Sequence, residues 1–259
     1  MNSTQASGRK SDLLVVADQA ALAQEAAKRV IAIAEEAVAR CGRFTVALAG
    51  GSTPKRLYSL LAAEPYCTRL PWRGTHLFWG DERAVPPEHQ DSNFGMAKVT
   101  LLNRVPILAD QIHRMQAERK DLDAAAGEYE AEIARTFAAR PPGEPPAFDL
   151  ILLGLGTDGH TASLFPYSDA LQETERWVVP NYIPKLKVNR LTLTAPILNR
   201  AARILFLVSG ADKAAVLQAV LDGPPDPERL PAQLIRPVAG RLLWFIDQAA
   251  ASRLGEKVP

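Results

Sequence analysis

The chain has 259 residues, 47% of them apolar and 23% charged, with a formal net charge of +1. That length and composition suit an ordinary globular protein that buries its own core without disulfide or metal staples. The balanced charge gives no electrostatic footprint for nucleic acid, and no run approaches the eighteen apolar residues of a membrane span. Two cysteines, Cys41 and Cys67, form no CxxC pair, which points to a reducing, cytoplasmic setting. The four histidines, His76, His89, His113 and His160, show no HxxxH-type pairing, so no dedicated metal site is expected.

Residues 1–12 are polar, lack the apolar centre of a signal peptide and are expected to be a flexible tail. Residues 13–259 are expected to form a single domain. "LLVVA" (Leu13 to Ala17) predicts a strand. Asp18 to Arg40 predicts a long helix, with apolar residues at intervals of three and four, Asp18 as N-cap and Gly42 as terminator. "FTVALAG" (Phe44 to Gly50) predicts a buried strand. A helix follows, with Thr53 as N-cap and Pro54 as its first residue. "THLFWGDE" (Thr75 to Glu82) predicts a third strand. A helix is expected near Ser92 to Leu102, and "QIHRM" (Gln111 to Met115) predicts a short strand. Asp121 to Ala139 predicts another helix, which "RPPGEPP" ends. "FDLILLGLG" (Phe148 to Gly156) is nearly all apolar and reads as a central parallel strand. Further strands are expected at Trp177 to Val179, Leu191 to Thr194, Ile204 to Val208 and Leu242 to Ile246, with helices starting near Gly210 and Leu230.

Alternating strands and helices imply an α/β fold: a Rossmann-like, mostly parallel sheet with helices on both faces. Ligands of such sheets bind outside the carboxyl ends of the strands. That rule selects three stretches that should share one rim: "GGSTP", "DER" and "GTDGH".

In "AGGSTP", Gly50 and Gly51 admit close approach of a ligand, and Ser52 and Thr53 place hydroxyls at a helix start, where phosphate is favoured. The plainer alternative is a tight turn. The spacing is that of neither GxxxxGK[ST] nor GxGxxG. In "GDER", an extended backbone projects Asp81 and Arg83 to one side and Glu82 to the other. An ordinary surface ion pair is the bland alternative. "GLGTDGH" surrounds Asp158 and His160 with glycines behind a strand. An imidazole can take and return a proton near neutrality. Either Asp158 or Asp81 can supply its partner, and a histidine that merely caps a helix "HTASLF" is the alternative. Lys185, Lys187 and Arg190, in "IPKLKVNRLTLT", form a local basic cluster suited to phosphate or to a solvated loop. No serine sits in a GxSxG elbow. Together these stretches point to a histidine base acting on water, or to isomerisation, with a small sugar phosphate as substrate.

"LAGGSTP", "GDERAVPPEHQDSN", "GLGTDGHTASLFP" and "NRLTLT", in this order, resemble the 6-phosphogluconolactonase family from about Leu13 to Asp247. The related glucosamine-6-phosphate deaminases and isomerases share a GSTP-type loop. They carry a "DGHIAFNEP"-like stretch and a "DEY"-like motif where this chain has "DGHTASLFP" and "DER". The resemblance implies a hydrolase of the pentose phosphate pathway that uses no metal or cofactor and opens the δ-lactone of 6-phosphogluconate. It assigns His160 as the catalytic histidine, Asp81 and Arg83 as active-site acid and arginine, and Lys185 and Arg190 as phosphate ligands. Family members often read "KPPPxR" where this chain reads "KLKVNR", which leaves Lys185 and Lys187 as alternatives. The expected partner is a small-molecule sugar-phosphate lactone, with no nucleic acid and no membrane, and the chain is expected as a monomer or weak homo-oligomer. A sugar-phosphate isomerase or deaminase, or a non-enzymatic sugar-phosphate sensor, is the competing reading. A sensor would ordinarily need a DNA-reading module, for which the chain has no spare residues.

Overall fold

The computed structural model describes residues 12–139 and 143–255. The expected tail lies outside the described residues except for Asp12, which opens the first strand. The start of "RPPGEPP" and the last four residues of the expected domain also lie outside.

In chain order the elements are β1 (Asp12–Val16), α1 (Gln19–Cys41), β2 (Phe44–Leu48), α2 (Ser52–Leu61), β3 (Thr75–Trp79), β4 (Asp81–Arg83), α3 (Asn93–Thr100), α4 (Leu122–Phe137), β5 (Leu150–Leu153), β6 (Val178–Ile183), β7 (Val188–Leu193), α5 (Ala195–Leu198), β8 (Arg203–Val208), α6 (Ala214–Asp222), β9 (Arg241–Asp247) and α7 (Gln248–Ala251). The main sheet has six strands in the order β1-β9-β8-β5-β2-β3, and every pairing in it is parallel. Every residue of β2 and β5 is buried. Both faces of the sheet are therefore covered there, as a parallel sheet requires.

Local chemistry explains the borders of α1. Asp18 accepts from the backbone N–H groups of Ala20 and Ala21. Gly42 ends the helix in the left-handed region, at φ +73°, and returns its N–H to Val38 O. Nine of its residues, from Leu22 to Ala37, are buried in one stripe. Asp149, just before β5, accepts from the backbone and hydroxyl of Thr45 on β2 and from Arg40 on α1. One buried carboxylate thus aligns two neighbouring strands and a helix.

The expected strand from Thr75 to Glu82 is two strands in two sheets. β3 belongs to the parallel sheet. β4 pairs with β7 in a separate antiparallel sheet of order β4-β7-β6. Gly80 is the junction: its N–H donates to Leu48 O on β2, and its carbonyl accepts from Leu193 N on β7. A continuous apolar-to-charged run carries no mark of a change of sheet, so the break is invisible in the pattern.

Other borders also move. α2 is capped by Gly51 rather than Thr53, so Pro54 is its third residue, still within the turn that lacks N–H acceptors. "QIHRM" contributes one bridge, Ile112 to Leu77, rather than a strand. The basic stretch is not one loop: Lys185 and Lys187 lie in the β6–β7 turn, whereas Arg190 is within β7. Thr161 to Leu164 close a tight turn with Ala162 at φ +47°, in place of any helix "HTASLF". Near Leu230 there is only a 3-10 turn, Pro231–Leu234.

Candidate active site

β5, β2 and β3 are neighbours running in one direction, so the segments after them emerge on one edge of the sheet. Beyond that edge lies a cavity of about 700 Å³, lined by Asp81, Arg83, Asp158, His160, Lys185 and Arg190 among others. Residues separated by more than a hundred positions are brought together there.

The loop after β5 is built around the imidazole. Gly156 N donates to His160 O, and Gly159 N donates to Gly156 O. A Cβ on Gly156 would stand 2.0 Å from His160 Nδ1, so only glycine fits beneath the ring. Gly159 adopts φ +87°, and a Cβ there would meet the side chain of Leu230 at 2.7 Å. His160 Nδ1 lies 2.5 Å from Asp158 Oδ1, which also accepts from the His160 backbone N–H. Partial burial raises the Asp158 pKa, but the His160 hydrogen bond and charge outweigh it and bring it down to about 2. The ring is stacked on Phe165, with centroids 4.0 Å apart and planes inclined by 18°.

Asp81 is not the partner of this imidazole. Its Oδ2 accepts from Ser163 Oγ at 2.7 Å, and its Oδ1 accepts from Asn93 Nδ2 at 3.2 Å. Asn93 Nδ2 also donates to Asp81 O. Glu82 faces the other way, accepting from the backbone N–H groups of Asn93 and Phe94 at the start of α3. Burial raises its pKa against the pull of those donors.

Arg83 and Arg190 are direct partners in the β4–β7 register. Arg83 Nη1 donates to Asp91 O. Among the described residues, the buried Nε of each arginine has no hydrogen-bond partner. Burial lowers the Arg190 pKa, and the charge of Arg83 adds to the effect. Two cationic side chains lining one cavity suit an anion with several oxygens. Lys185 lines the same cavity; Lys187 is not among its lining residues. Neither are Gly50, Gly51, Ser52 and Thr53. Gly50 instead packs against Asn93, whose Oδ1 would lie 2.0 Å from a Cβ at that position. Among the described residues, no cluster of three His, Cys, Asp or Glu side chains is arranged to hold a metal ion.

Residues 17–244 match the family described as glucosamine-6-phosphate isomerases/6-phosphogluconolactonase. The chain belongs to this family. The 6-phosphogluconolactonase of Nostoc sp. is 41% identical over 95% of this chain and 99% of its own length. That of Synechocystis sp. is 45% identical over 85% of this chain and 88% of its own. The structure of 6-phosphogluconolactonase from Trypanosoma cruzi superposes with a TM-score of 0.84 at 32% identity, covering 95% of this chain and 97% of that one. A monomeric glucosamine-6-phosphate deaminase shares the fold, with a TM-score of 0.76 at 22% identity over 93% and 99% of the two chains. The Rossmann-like, mostly parallel α/β architecture of this chain is thus shared with both of these solved structures.

Within this family frame, sequence reasoning overlooked Asn93, Ser163 and Phe165. All three lie in stretches singled out for their charged neighbours. Their own signal is weak, because an Asn, a Ser or a Phe beside a motif is ordinary turn or core material until the fold sets it against Asp81 or His160.

Proposed function

We propose that this chain is a 6-phosphogluconolactonase that hydrolyses 6-phospho-D-glucono-1,5-lactone to 6-phosphogluconate in the oxidative pentose phosphate pathway, with His160 as general base. One observation carries the reading: the Asp158–His160 pair opens into the same cavity as Arg83 and Arg190. An Asp158 carboxylate ionised at neutral pH takes the Nδ1 proton as its hydrogen-bond partner. Nε2 is then left with a lone pair for water.

Water attacks the lactone carbonyl carbon as Nε2 takes one of its protons. The tetrahedral intermediate carries its negative charge on the former carbonyl oxygen. Arg83, or backbone N–H groups of the Gly154–His160 loop, stabilise that charge. The bond from carbon to ring oxygen then breaks, the imidazolium returns its proton to that oxygen, and the new carboxyl ionises. Arg190 and Lys185 hold the phosphate, while Gly50 packs against Asn93, which holds Asp81. All of these groups come from one chain, which supports a site that works in a monomer or weak homo-oligomer. Among the described residues no helix is long and apolar enough to cross a membrane. Both cysteines are free, which supports the cytoplasm as the location.

The test follows loss of freshly made lactone above its spontaneous rate, with glucosamine 6-phosphate as a parallel substrate. His160→Ala should lower kcat by about 10²–10⁴-fold. Near-normal turnover by that variant, or turnover of the amino sugar phosphate in place of the lactone, overturns the proposal.

A further inference from the structure

A hydrogen bond to Asp158 fixes one edge of the His160 ring but not its plane. The torsion that turns an imidazole is broad and two-fold, so a ring held at a single nitrogen can still swing about that contact. The face of Phe165, at 4.0 Å and 18°, opposes this swing. The backbone of Phe165 is itself well anchored. Its carbonyl accepts from both the backbone N–H and the hydroxyl of Ser168. Ser168 Oγ in turn accepts from the buried side chain of Asn181. The turn before it is closed by the Thr161–Leu164 bridge, with Leu164 fully buried.

We propose that Phe165 is a positioning residue for the lactonase reaction: its phenyl face holds the imidazole plane so that Nε2 addresses the cavity, and its π electrons favour the imidazolium formed when water is deprotonated. The proposal rests on the lactonase reading above and deepens it. Charged groups also share the cavity with this imidazole. Asp158 touches it directly, and Asp81, Arg83, Arg190 and Lys185 line the same cavity. Their mutual balance is subject to screening by salt. The phenyl contribution is short-range, because it comes from direct contact with the ring quadrupole.

Phe165→Leu keeps an apolar side chain of similar reach and removes the aromatic face; Phe165→Tyr keeps the face. In F165L, kcat should fall about tenfold with KM nearly unchanged, as a misaligned catalytic group predicts. The acid limb of its pH profile in kcat/KM should move to lower pH by about half a unit and stay there at high salt. F165Y should match the unsubstituted protein in both respects. By NMR, the ring protons of His160, shielded by the phenyl ring current, should move downfield in F165L. If F165L melts below the assay temperature, F165M carries the same comparison. A folded F165L with unchanged kcat and an unchanged acid limb overturns the proposal, as does an unmoved His160 resonance. Failure of the unsubstituted protein to accelerate lactone loss would instead sink the lactonase reading, and the NMR comparison would still decide whether the stack holds the ring.

Discussion

Arg83 and Arg190 stand opposite one another across the β4–β7 ladder, each with a buried Nε that no described group accepts. Like charges at paired positions repel. Two cations set side by side at the cavity therefore suit an anion between them. Arg190→Met should raise the melting temperature by about 2–4 °C, as expected for about 1 kcal/mol in a chain of this size. The same change should raise KM about 10–100-fold through loss of a charge-assisted bond. A lower melting temperature with an unchanged KM would count against an anion site here.

Binding of the reaction product should be visible in the same melts. At about 100 times its Kd, 6-phosphogluconate should stabilise the protein by about 2.7 kcal/mol. At that concentration R190M should show a much smaller rise. Equal rises in the two proteins would place the phosphate elsewhere, with the Gly50–Thr53 loop as the next position to substitute.

Asp158 gives a pH-dependent test with a defined sign. Its pKa in the folded protein is about 2, below the ordinary value of about 3.9 for an unfolded chain. Its contribution to stability is therefore fully present above about pH 4 and is lost as pH falls through about 2. Asp158→Asn should lower the urea midpoint at pH 6, and the gap from the unsubstituted protein should close towards pH 2. Its kcat should fall about 10²–10⁴-fold because the Nδ1 partner no longer selects the reactive tautomer. A gap in midpoint that widens on acidification would contradict the assignment.

Gly156→Ala addresses the floor beneath the imidazole. A methyl group 2.0 Å from His160 Nδ1 forces the ring or the loop to move. The expected result is a folded protein with kcat lowered about 10²-fold, since small misplacements of a reacting group have effects of that order. Circular dichroism and steady-state kinetics on one preparation check both halves. Unchanged kcat would mean that the loop relaxes without disturbing the dyad.

Sequence revealed what depends on local chemistry. Asp18 and Gly42 bracket α1 because a carboxylate cap and a left-handed glycine act within one turn of the chain. The apolar runs of β2, β5 and β8 mark strands buried on both faces. Their shared direction follows from the helices between them, so the rim carrying Asp81, Arg83, Asp158 and His160 was legible too. What was hidden depends on contacts across the chain. The choice of Asp158 over Asp81 as the partner of His160 rests on Asn93 and Ser163 occupying Asp81, and neither bond has a sequence signature. The pairing of Arg83 with Arg190 needed the antiparallel sheet, which the single run from Thr75 to Glu82 concealed. Gly50 and Gly51 read as a cradle for phosphate, and the fold adds a constraint that sequence does not show, the close packing of Asn93 against Gly50.

Gly80 is bonded to both sheets through one peptide unit on either side, and Ser163 ties the histidine loop to Asp81 and to Thr192 on β7. Those few links fix the span between the imidazole and the guanidinium pair, much as a caliper is set by its pivot. On the proposed function, a phosphorylated sugar lactone would be gauged end to end, from the carbon that reacts to the group that anchors it. Lengthening or shortening the segment around Gly80 would reset that gauge without disturbing the large sheet.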